Sequence, residues 1–295
     1  MHRPMTSDEK HRRVAELTLR AGQLQAVPAV VTRALRYIDD PGSSIAPLAA
    51  ILNTDHTIAG RLIGLANSAF YSARYRRFVT VREAVIRLGY SAVRDLLLAV
   101  VLSGLARAPS KLYGLSPGDL WQHSLATALI ARLIAEETGA ANPEQSYMAG
   151  LLHDIGRAVL DRALTPGETA SVLALVQERR VSYQVAEEEV LGVTHSDVGA
   201  YRLETWGVGP ELVQAVAAHH RAAPASLGGI VHTADVLAIK VLRLADGNPG
   251  WDYRIDPTVR ASFGPAPAFV AREAAWLDNV ANTIKLHISE VVGSE

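Results

Sequence analysis

Histidine and aspartate residues recur in order along the second half of the chain. His153 and Asp154 are consecutive and lie inside an apolar run, with Met148–Leu152 before them and Ala158–Leu160 after them. A carboxylate in such a run must be paired or bound to a metal ion, because burying an isolated charge is strongly unfavourable. The same series also contains His123, His195, His219, His220 and Asp235.

A mixed set of imidazoles and carboxylates is typical of a transition-metal site. These ligand types suit iron, manganese, zinc or similar divalent ions better than calcium. Apart from the pair His219–His220, each histidine of the series falls on a different predicted helix or helix end, and ligands from several helices can converge in the core of a bundle. A single histidine of this kind is more often a polar core or surface residue. The ordered set is what predicts a metal site.

The pair His153–Asp154 is predicted to lie within one helix, which spans roughly residues 143–160. Consecutive residues of a helix point about 100° apart. Both side chains can then lean toward one neighbouring helix, but both cannot face a core. A simpler interpretation places a solvated Asp154 in the first turn of a helix. The other histidines favour the metal site.

The composition is that of an ordinary globular protein. The chain has 295 residues, of which 49% are hydrophobic and 20% charged, and it can form one large domain or two smaller ones. There is no cysteine, which excludes disulfides, thiolate zinc sites and cysteine nucleophiles and fits a reducing cytoplasm.

Charge and hydropathy give no reason to expect a membrane or nucleic-acid partner. The net charge is −1, which offers no general attraction to polyanions. The N-terminus is polar and has no apolar signal core. No run reaches the roughly 18 apolar residues that a membrane span needs. We therefore expect a cytoplasmic protein.

Apolar residues recur at helical spacing throughout, and no strand-type alternation stands out. One such face carries Val30, Val31, Ala34, Leu35 and Ile38. Thr80 and Glu83 are spaced as a capping box at the start of another helix. The fold is predicted to be all-α.

Breaker residues between 107 and 118 are predicted to separate two helical lobes. The expected organisation is an N-terminal lead-in at 1–20, a first lobe at 21–106 and a second lobe at 119–245. A linker and a final helix, predicted at 269–288, follow in 246–295.

Short motifs in both predicted lobes accompany the histidine series. The first lobe contains Leu24–Pro28, Leu65–Tyr71 and Ala84–Gly89, and the second contains Trp121–Ser124, Gly150–Gly156 and the pattern His195, Gly199, Trp206, His219, His220. Together these resemble the HD phosphohydrolase superfamily, and specifically its HDOD branch. The resemblance covers nearly the whole chain and implies a two-lobed helical bundle, with an N-terminal HDOD lobe and an HD-phosphohydrolase-like lobe, over residues 21–245.

The resemblance also implies roles for the residues of the series. His123, His153, Asp154, His195, His219, His220 and Asp235 would be the metal ligands. In an active member, two ions about 3.5–4 Å apart would generate hydroxide and clamp phosphate oxygens. Asp154 would then be catalytic, and Arg157 would steady the developing charge.

Two departures concern the related HD-GYP phosphodiesterases of cyclic dinucleotides. The residues after His220 are Arg221–Pro224, and the Gly-Tyr-Pro signature is absent there. Arg157 stands where active members often carry lysine, and a guanidinium is not a point donor like an ammonium. We therefore expect little or no cleavage of cyclic di-GMP.

Two functions are left open by these residues. In the first, the protein is a signalling module that binds a partner protein or a nucleotide ligand. In the second, it is a metal-dependent phosphohydrolase or phosphodiesterase. The first lobe offers a candidate surface for phosphate or an acidic partner, although a solvated basic loop is the simpler interpretation: Asn67, Ser68, Arg74, Arg76 and Arg77. DNA binding is disfavoured, since no reading helix is evident. We favour the signalling module.

Overall fold

The computed structural model describes residues 5–22, 29–38, 40–67, 77–106, 109–221, 223–224, 226–251 and 253–262. Within these ranges every regular element is a helix, which confirms the predicted all-α class. The only strand-like pairing among them is one isolated bridge between Ser110 and Leu115. Ser68, Arg74, Arg76 and the helix predicted at 269–288 lie outside the described residues.

The chain divides into two compact units. The first unit is 23–105, and the second joins 1–22 to 106–295. None of the helices in the described ranges combines the length and apolar character needed to cross a membrane. The lobe boundaries given above stay predictions.

The described part of the first unit contains four helices, α2 Ala29–Ile38, α3 Ile45–Leu52, α4 His56–Ala66 and α5 Val81–Ala106. The predicted capping box begins α5, because the Glu83 amide donates to Thr80 Oγ1 at 3.2 Å and the Thr80 amide donates to Glu83 Oε2 at 3.2 Å. Gly89 interrupts α5 with a φ of 76°, so the helix is kinked there. The predicted apolar face of α2 is buried at Val31, Ala34, Leu35 and Ile38.

The second unit holds the remaining helices. They are α1 Ser7–Arg20, α6 Asp119–Thr138, α7 Pro143–Leu152, α8 Ile155–Ala163, α9 Pro166–Arg179, α10 Tyr183–Leu191, α11 His195–Thr205, α12 Pro210–Ala218, α13 Leu227–Leu242 and α14 Pro257–Ser262. A short 3-10 turn, Pro249–Trp251, precedes α14. Helices α6, α7 and α13 pack on one another, and α11 packs against α8 and α12. Buried Ile130, Ile134, Ile230 and Leu237 join α6 to α13.

The predicted single helix over 143–160 is wrong, because the chain turns at His153–Asp154. Asp154 has φ −101° and ψ 13°, and α8 begins only at Ile155. Both side chains are fully buried. The expectation that they could not both face a core is therefore wrong as well, since the two residues do not share a continuous helix.

Two glycines allow the close helix approaches around this turn. A Cβ at Gly150 would lie 2.8 Å from Ala128 Cα in α6. A Cβ at Gly156 would overlap the carbonyl oxygen of His195 in α11. Real Cβ atoms do not pack this closely, so glycine is required where α7 meets α6 and where α8 meets α11.

Candidate metal centre

All seven residues of the histidine–aspartate series come together in the second unit. His123 lies in α6, His153 and Asp154 at the α7–α8 turn, and His195 at the start of α11, while the others follow α12 or lie in α13: His219, His220 and Asp235. Six of them are buried, and His220 is partly exposed. That these side chains bind metal stays a proposal, but the structure brings together every residue that the prediction requires.

The seven side chains form two groups. Asp154, His195, His219 and His220 make the first, and His123, His153 and Asp235 make the second. Within each group, one nitrogen or oxygen of every residue lies within 4.8 Å of the others. We call these the first and second ligand groups.

The carboxylate of Asp154 lies between the two ligand groups. Its Oδ1 is 3.3 Å from His195 Nε2 and 3.8 Å from His219 Nε2. Its Oδ2 is 3.4 Å from His123 Nε2 and 3.3 Å from His153 Nε2. Each oxygen therefore faces a different group.

The spacing of the polar atoms fits a shared cation. Ligand atoms about 2.0–2.1 Å from one ion lie about 2.9–3.4 Å apart at octahedral or tetrahedral angles. His123 Nε2 and Asp235 Oδ1 are 3.1 Å apart, yet this contact is not aligned as a hydrogen bond, and Asp235 Oδ1 has no hydrogen-bond partner among the described residues. His123 Nε2 also lies 3.2 Å from His153 Nε2, and His195 Nε2 lies 2.9 Å from His220 Nε2, spacings that ligand atoms of one ion would also have.

Several buried acceptor atoms lack hydrogen-bond partners within the described ranges, and they also indicate a shared cation. Asp154 Oδ1, both oxygens of Asp235 and His219 Nε2 find no hydrogen-bond partner in the described part of the chain. Leaving such a group unsatisfied costs about 1–3 kcal/mol, and more when it is charged. A divalent cation would satisfy these atoms together, so the residues present fit a metal ion.

Outward hydrogen bonds select which ring nitrogen faces the centre. His153 Nδ1 lies 2.8 Å from the Gly150 carbonyl oxygen, and His219 Nδ1 lies 2.7 Å from the Val216 carbonyl oxygen. A carbonyl only accepts, so Nδ1 carries the hydrogen in both rings. Nε2 is left as the nitrogen that can bind an ion, as in the common second layer of metal sites.

The pKa shifts of His219 and Asp154 favour a bound cation, and that of His153 opposes it. Burial lowers the pKa of His219 to about 3, and positive charge on His153 acts in the same direction. Burial raises the pKa of Asp154, but Arg157 and His153 outweigh burial and hold that pKa well below its usual range. Burial lowers the pKa of His153, but Asp154 and Asp235 raise it to about 10. His153 would therefore have to release a proton before its Nε2 could hold a cation.

Arg157 is buried against the centre. Its Nε donates to Asp154 Oδ2 at 2.6 Å, and its Nη2 donates to Tyr253 Oη at 3.2 Å. The guanidinium carbon lies 4.3 Å from the ring centre of Trp251 and 4.7 Å from that of Tyr113. The faces of both aromatic rings attract the positively charged guanidinium group. Arg157 is thus fixed on Asp154 and enclosed by aromatic rings.

Trp251 and Tyr253 cover the centre, and sequence reasoning missed both. The Trp251 ring meets His123 edge-on at 5.4 Å, and the Tyr253 ring stacks on His220 at 4.7 Å. Trp251 Nε1 donates to the Tyr113 carbonyl oxygen at 3.1 Å. Glu187, which bonds to His195, was missed too. The clearest sequence signal would have been two aromatics, Trp251 and Tyr253, inside a segment assigned to a linker.

Only two of the five residues proposed for partner binding in the first unit are described. Asn67 Nδ2 donates to the carbonyl oxygens of Ile63 and Phe78 at 2.9 and 2.8 Å, and its Oδ1 accepts from the Phe78 amide at 2.8 Å. These hydrogen bonds of the Asn67 side chain hold the backbone of Phe78 at the end of α4. Arg77 is exposed. Binding by either residue stays a prediction.

A family model described as the HDOD domain matches residues 24–222, which is more than half of the chain. The chain belongs to the HDOD family. This confirms the resemblance drawn from the motifs. Asp235, Trp251 and Tyr253 of this HDOD chain lie beyond the matched residues.

Among curated relatives, an uncharacterised protein of Treponema pallidum (strain Nichols) is 24% identical over 241 residues, covering 81% of this chain and 46% of that protein. Ribonuclease Y of Geotalea uraniireducens (strain Rf4) is 32% identical over 122 residues, covering 41% of this chain and 18% of the enzyme. The HDOD chain therefore spans less than half the length of these relatives.

Solved structures share the fold. An HDOD domain protein of unknown function from Geobacter sulfurreducens is 29% identical, with a TM-score of 0.59 over 94% of this chain and 95% of that one. A chain from Shewanella amazonensis SB2B, provisionally described as a phosphohydrolase, is 23% identical, with a TM-score of 0.60 over 92% of this chain and 98% of that one. The similarity to the Shewanella amazonensis chain is evidence for a shared fold only.

Proposed function

We propose that this chain is a regulatory HDOD protein whose second unit holds a divalent metal ion and which acts mainly by binding a partner protein or a nucleotide ligand. The observation that supports a bound metal ion is the set of buried, unpartnered carboxylate oxygens on Asp154 and Asp235. Buried carboxylate oxygens without partners are strongly unfavourable, and a divalent cation would satisfy them. Membership of the HDOD family supports the proposed regulatory role.

The ligand groups assign the residues that would hold the ion. His195, His219 and His220 would act with Asp154 Oδ1, and the second ligand group would act with Asp154 Oδ2. Iron, manganese or zinc bound there would supply a Lewis acid. Arg157 would keep Asp154 in place through the 2.6 Å bond to Oδ2.

Two features favour binding over turnover. Arg157 is engaged by Asp154 and Tyr253 and lies over two aromatic rings, whereas a residue that stabilises a transition state must point at the reacting group. Trp251 and Tyr253 lie against His123 and His220, where a phosphate ester would have to approach. A substrate would need this cover to move.

The second candidate is a metal-dependent phosphohydrolase or phosphodiesterase. The position of Asp154 between the two ligand groups favours it, because a carboxylate shared by two ions is suited to two-metal hydrolysis of phosphate esters. The partial match to proteins named ribonuclease Y points to phosphodiesters as the substrate class.

Metal content and turnover, measured on one preparation, test both candidates. The full chain would be purified without chelators and analysed for iron, manganese and zinc, and then assayed with bis(p-nitrophenyl) phosphate and a short RNA. The proposal expects bound metal and no turnover above that of an Asp154→Asn variant. A chain that takes up no metal contradicts the metal centre. Turnover that Asp154→Asn abolishes makes the protein an enzyme.

A further inference from the structure

A buried carboxylate outside the ligand series lies directly behind His195. Glu187 in α10 is fully buried. Its Oε2 lies 2.7 Å from His195 Nδ1 and accepts from the His195 backbone amide at 2.7 Å. Its Oε1 accepts from Tyr113 Oη at 2.7 Å. Three donors thus converge on a carboxylate that belongs to neither ligand group.

We propose that Glu187 is a positioning residue that orients His195 for metal binding. This inference rests on the proposed metal centre. An ionised carboxylate only accepts hydrogen bonds, so the 2.7 Å contact puts the hydrogen of His195 on Nδ1. Nε2 then carries the lone pair, at 3.3 Å from Asp154 Oδ1 and 2.9 Å from His220 Nε2 in the first ligand group.

The anchor of His195 differs in kind from those of two other ligand histidines. His153 and His219 are held by neutral backbone carbonyls three residues earlier in their own turns. His195 is held by a charged side chain from another helix, eight residues away in sequence. Charge-assisted hydrogen bonds are roughly twice as strong as neutral ones. His195 is therefore the more firmly oriented ring.

Tyr113 completes the arrangement from the other side. Its hydroxyl holds Glu187 Oε1, and its ring lies 4.9 Å from that of Tyr183 and 6.5 Å from that of Trp251. The carboxylate consequently has one oxygen for His195 and one for Tyr113, so it cannot rotate without losing a buried hydrogen bond. This fixes the direction in which it holds the imidazole.

Cobalt(II) titration of the metal-free full chain tests the inference, because the visible absorption of Co²⁺ reports its ligands. Glu187→Ala removes the anchor and should weaken Co²⁺ binding by about 10–100-fold, the usual effect of losing such a partner. Glu187→Gln keeps an acceptor of the same size without the charge and should fall between wild type and Glu187→Ala. Glu188→Gln is the matched control, since Glu188 bonds Lys10 and Arg221 at the surface and should bind like wild type.

Nitrogen-15 NMR of the His195 ring reports which ring nitrogen carries the hydrogen. A change in protein stability alone would not alter this result. Wild type and Glu187→Gln should show hydrogen on Nδ1, and Glu187→Ala should show both tautomers. If Glu187→Ala does not fold, Glu187→Gln carries the affinity test. Equal Co²⁺ affinities in wild type and the Glu187 variants overturn the positioning role while the metal centre stands. A wild type that binds no Co²⁺ overturns both.

Discussion

Arg157 Nε and Asp154 Oδ2 form a 2.6 Å ion pair between two fully buried side chains, three residues apart across the start of α8. The same carboxylate stands between the two ligand groups. The arginine therefore compensates a charge that a metal ion would also compensate.

Arg157→Ala is expected to destabilise the metal-free protein by about 3–5 kcal/mol, because it leaves Asp154 buried without its guanidinium partner. With Mn²⁺ or Zn²⁺ present the loss should be smaller, since the ion takes over part of that compensation. Urea unfolding with and without metal measures both values. Arg162→Ala, an exposed arginine on the same helix, should stay within about 0.5 kcal/mol of wild type. An equal loss with and without metal would contradict the shared role of Asp154.

Gly156→Ala is expected to disrupt the centre without touching a ligand. The new methyl group would overlap the His195 carbonyl, so α11 must move away from α8. Overpacking of this kind costs about 1–3 kcal/mol, and Co²⁺ affinity should fall as His195 is displaced. Gly167→Ala is the control, because a Cβ there meets nothing within 4 Å. Unchanged Co²⁺ binding by Gly156→Ala would show that the approach of α8 to α11 does not set the site.

The stacked ring of Tyr253 is expected to slow the exchange of bound metal. Tyr253→Ala removes the ring that lies 4.7 Å from His220 and should speed the loss of Co²⁺ to EDTA severalfold. Tyr253→Phe keeps the stack and loses only the hydroxyl bonded to Arg157, so its rate should stay near that of wild type. Stopped-flow absorption gives the rates. If both variants match wild type, the ring of Tyr253 does not control access.

Cyclic di-GMP should be hydrolysed little or not at all, even with Mn²⁺ or Fe²⁺ added. No Gly-Tyr-Pro segment follows His220 to grip that substrate, and Arg157 is held by Asp154. Chromatography of the nucleotide after overnight incubation measures the outcome. Robust cleavage that disappears in Asp154→Ala would overturn the prediction.

The ion pairs of α1 should stabilise the protein in a pH-dependent way. Burial raises the pKa of Glu168, but bonds from Thr165 and Arg13 outweigh burial and lower the pKa to about 2. The folded pKa is below the unfolded value, so this stability is present above about pH 4.5 and is lost as the pH falls toward 2. The difference in unfolding free energy between wild type and Glu168→Gln should shrink over that range. Gln keeps the helix cap, which isolates the charge. A constant difference would contradict the shift, and Glu178→Gln, at an exposed position of α9, is the control.

The ligand series could be predicted because residue type and order carry the signal themselves. The turn at His153–Asp154 could not, since the apolar run around it keeps helical spacing. Partners from α6, α11 and α13 hold the two side chains, and those partners are distant in sequence.

Glu187 shows a second limit of sequence reasoning. It is followed by Glu188 and Glu189, and nothing local separates the buried carboxylate from its more exposed neighbours. Its distinction comes from Tyr113 and His195, which belong to other elements. The same holds for Trp251, whose indole nitrogen bonds a carbonyl 138 residues away.

The candidate ligands are spread from residue 123 to residue 235, across α6, the α7–α8 turn, α11, the end of α12 and α13. Metal bound by the two ligand groups would act as a cross-link that closes several long loops at once, and such closure stabilises mainly by restricting the unfolded chain. Occupancy would then join these helices into a single cooperative block. A partner could sense the metal through the stiffness of the unit, without touching the ion.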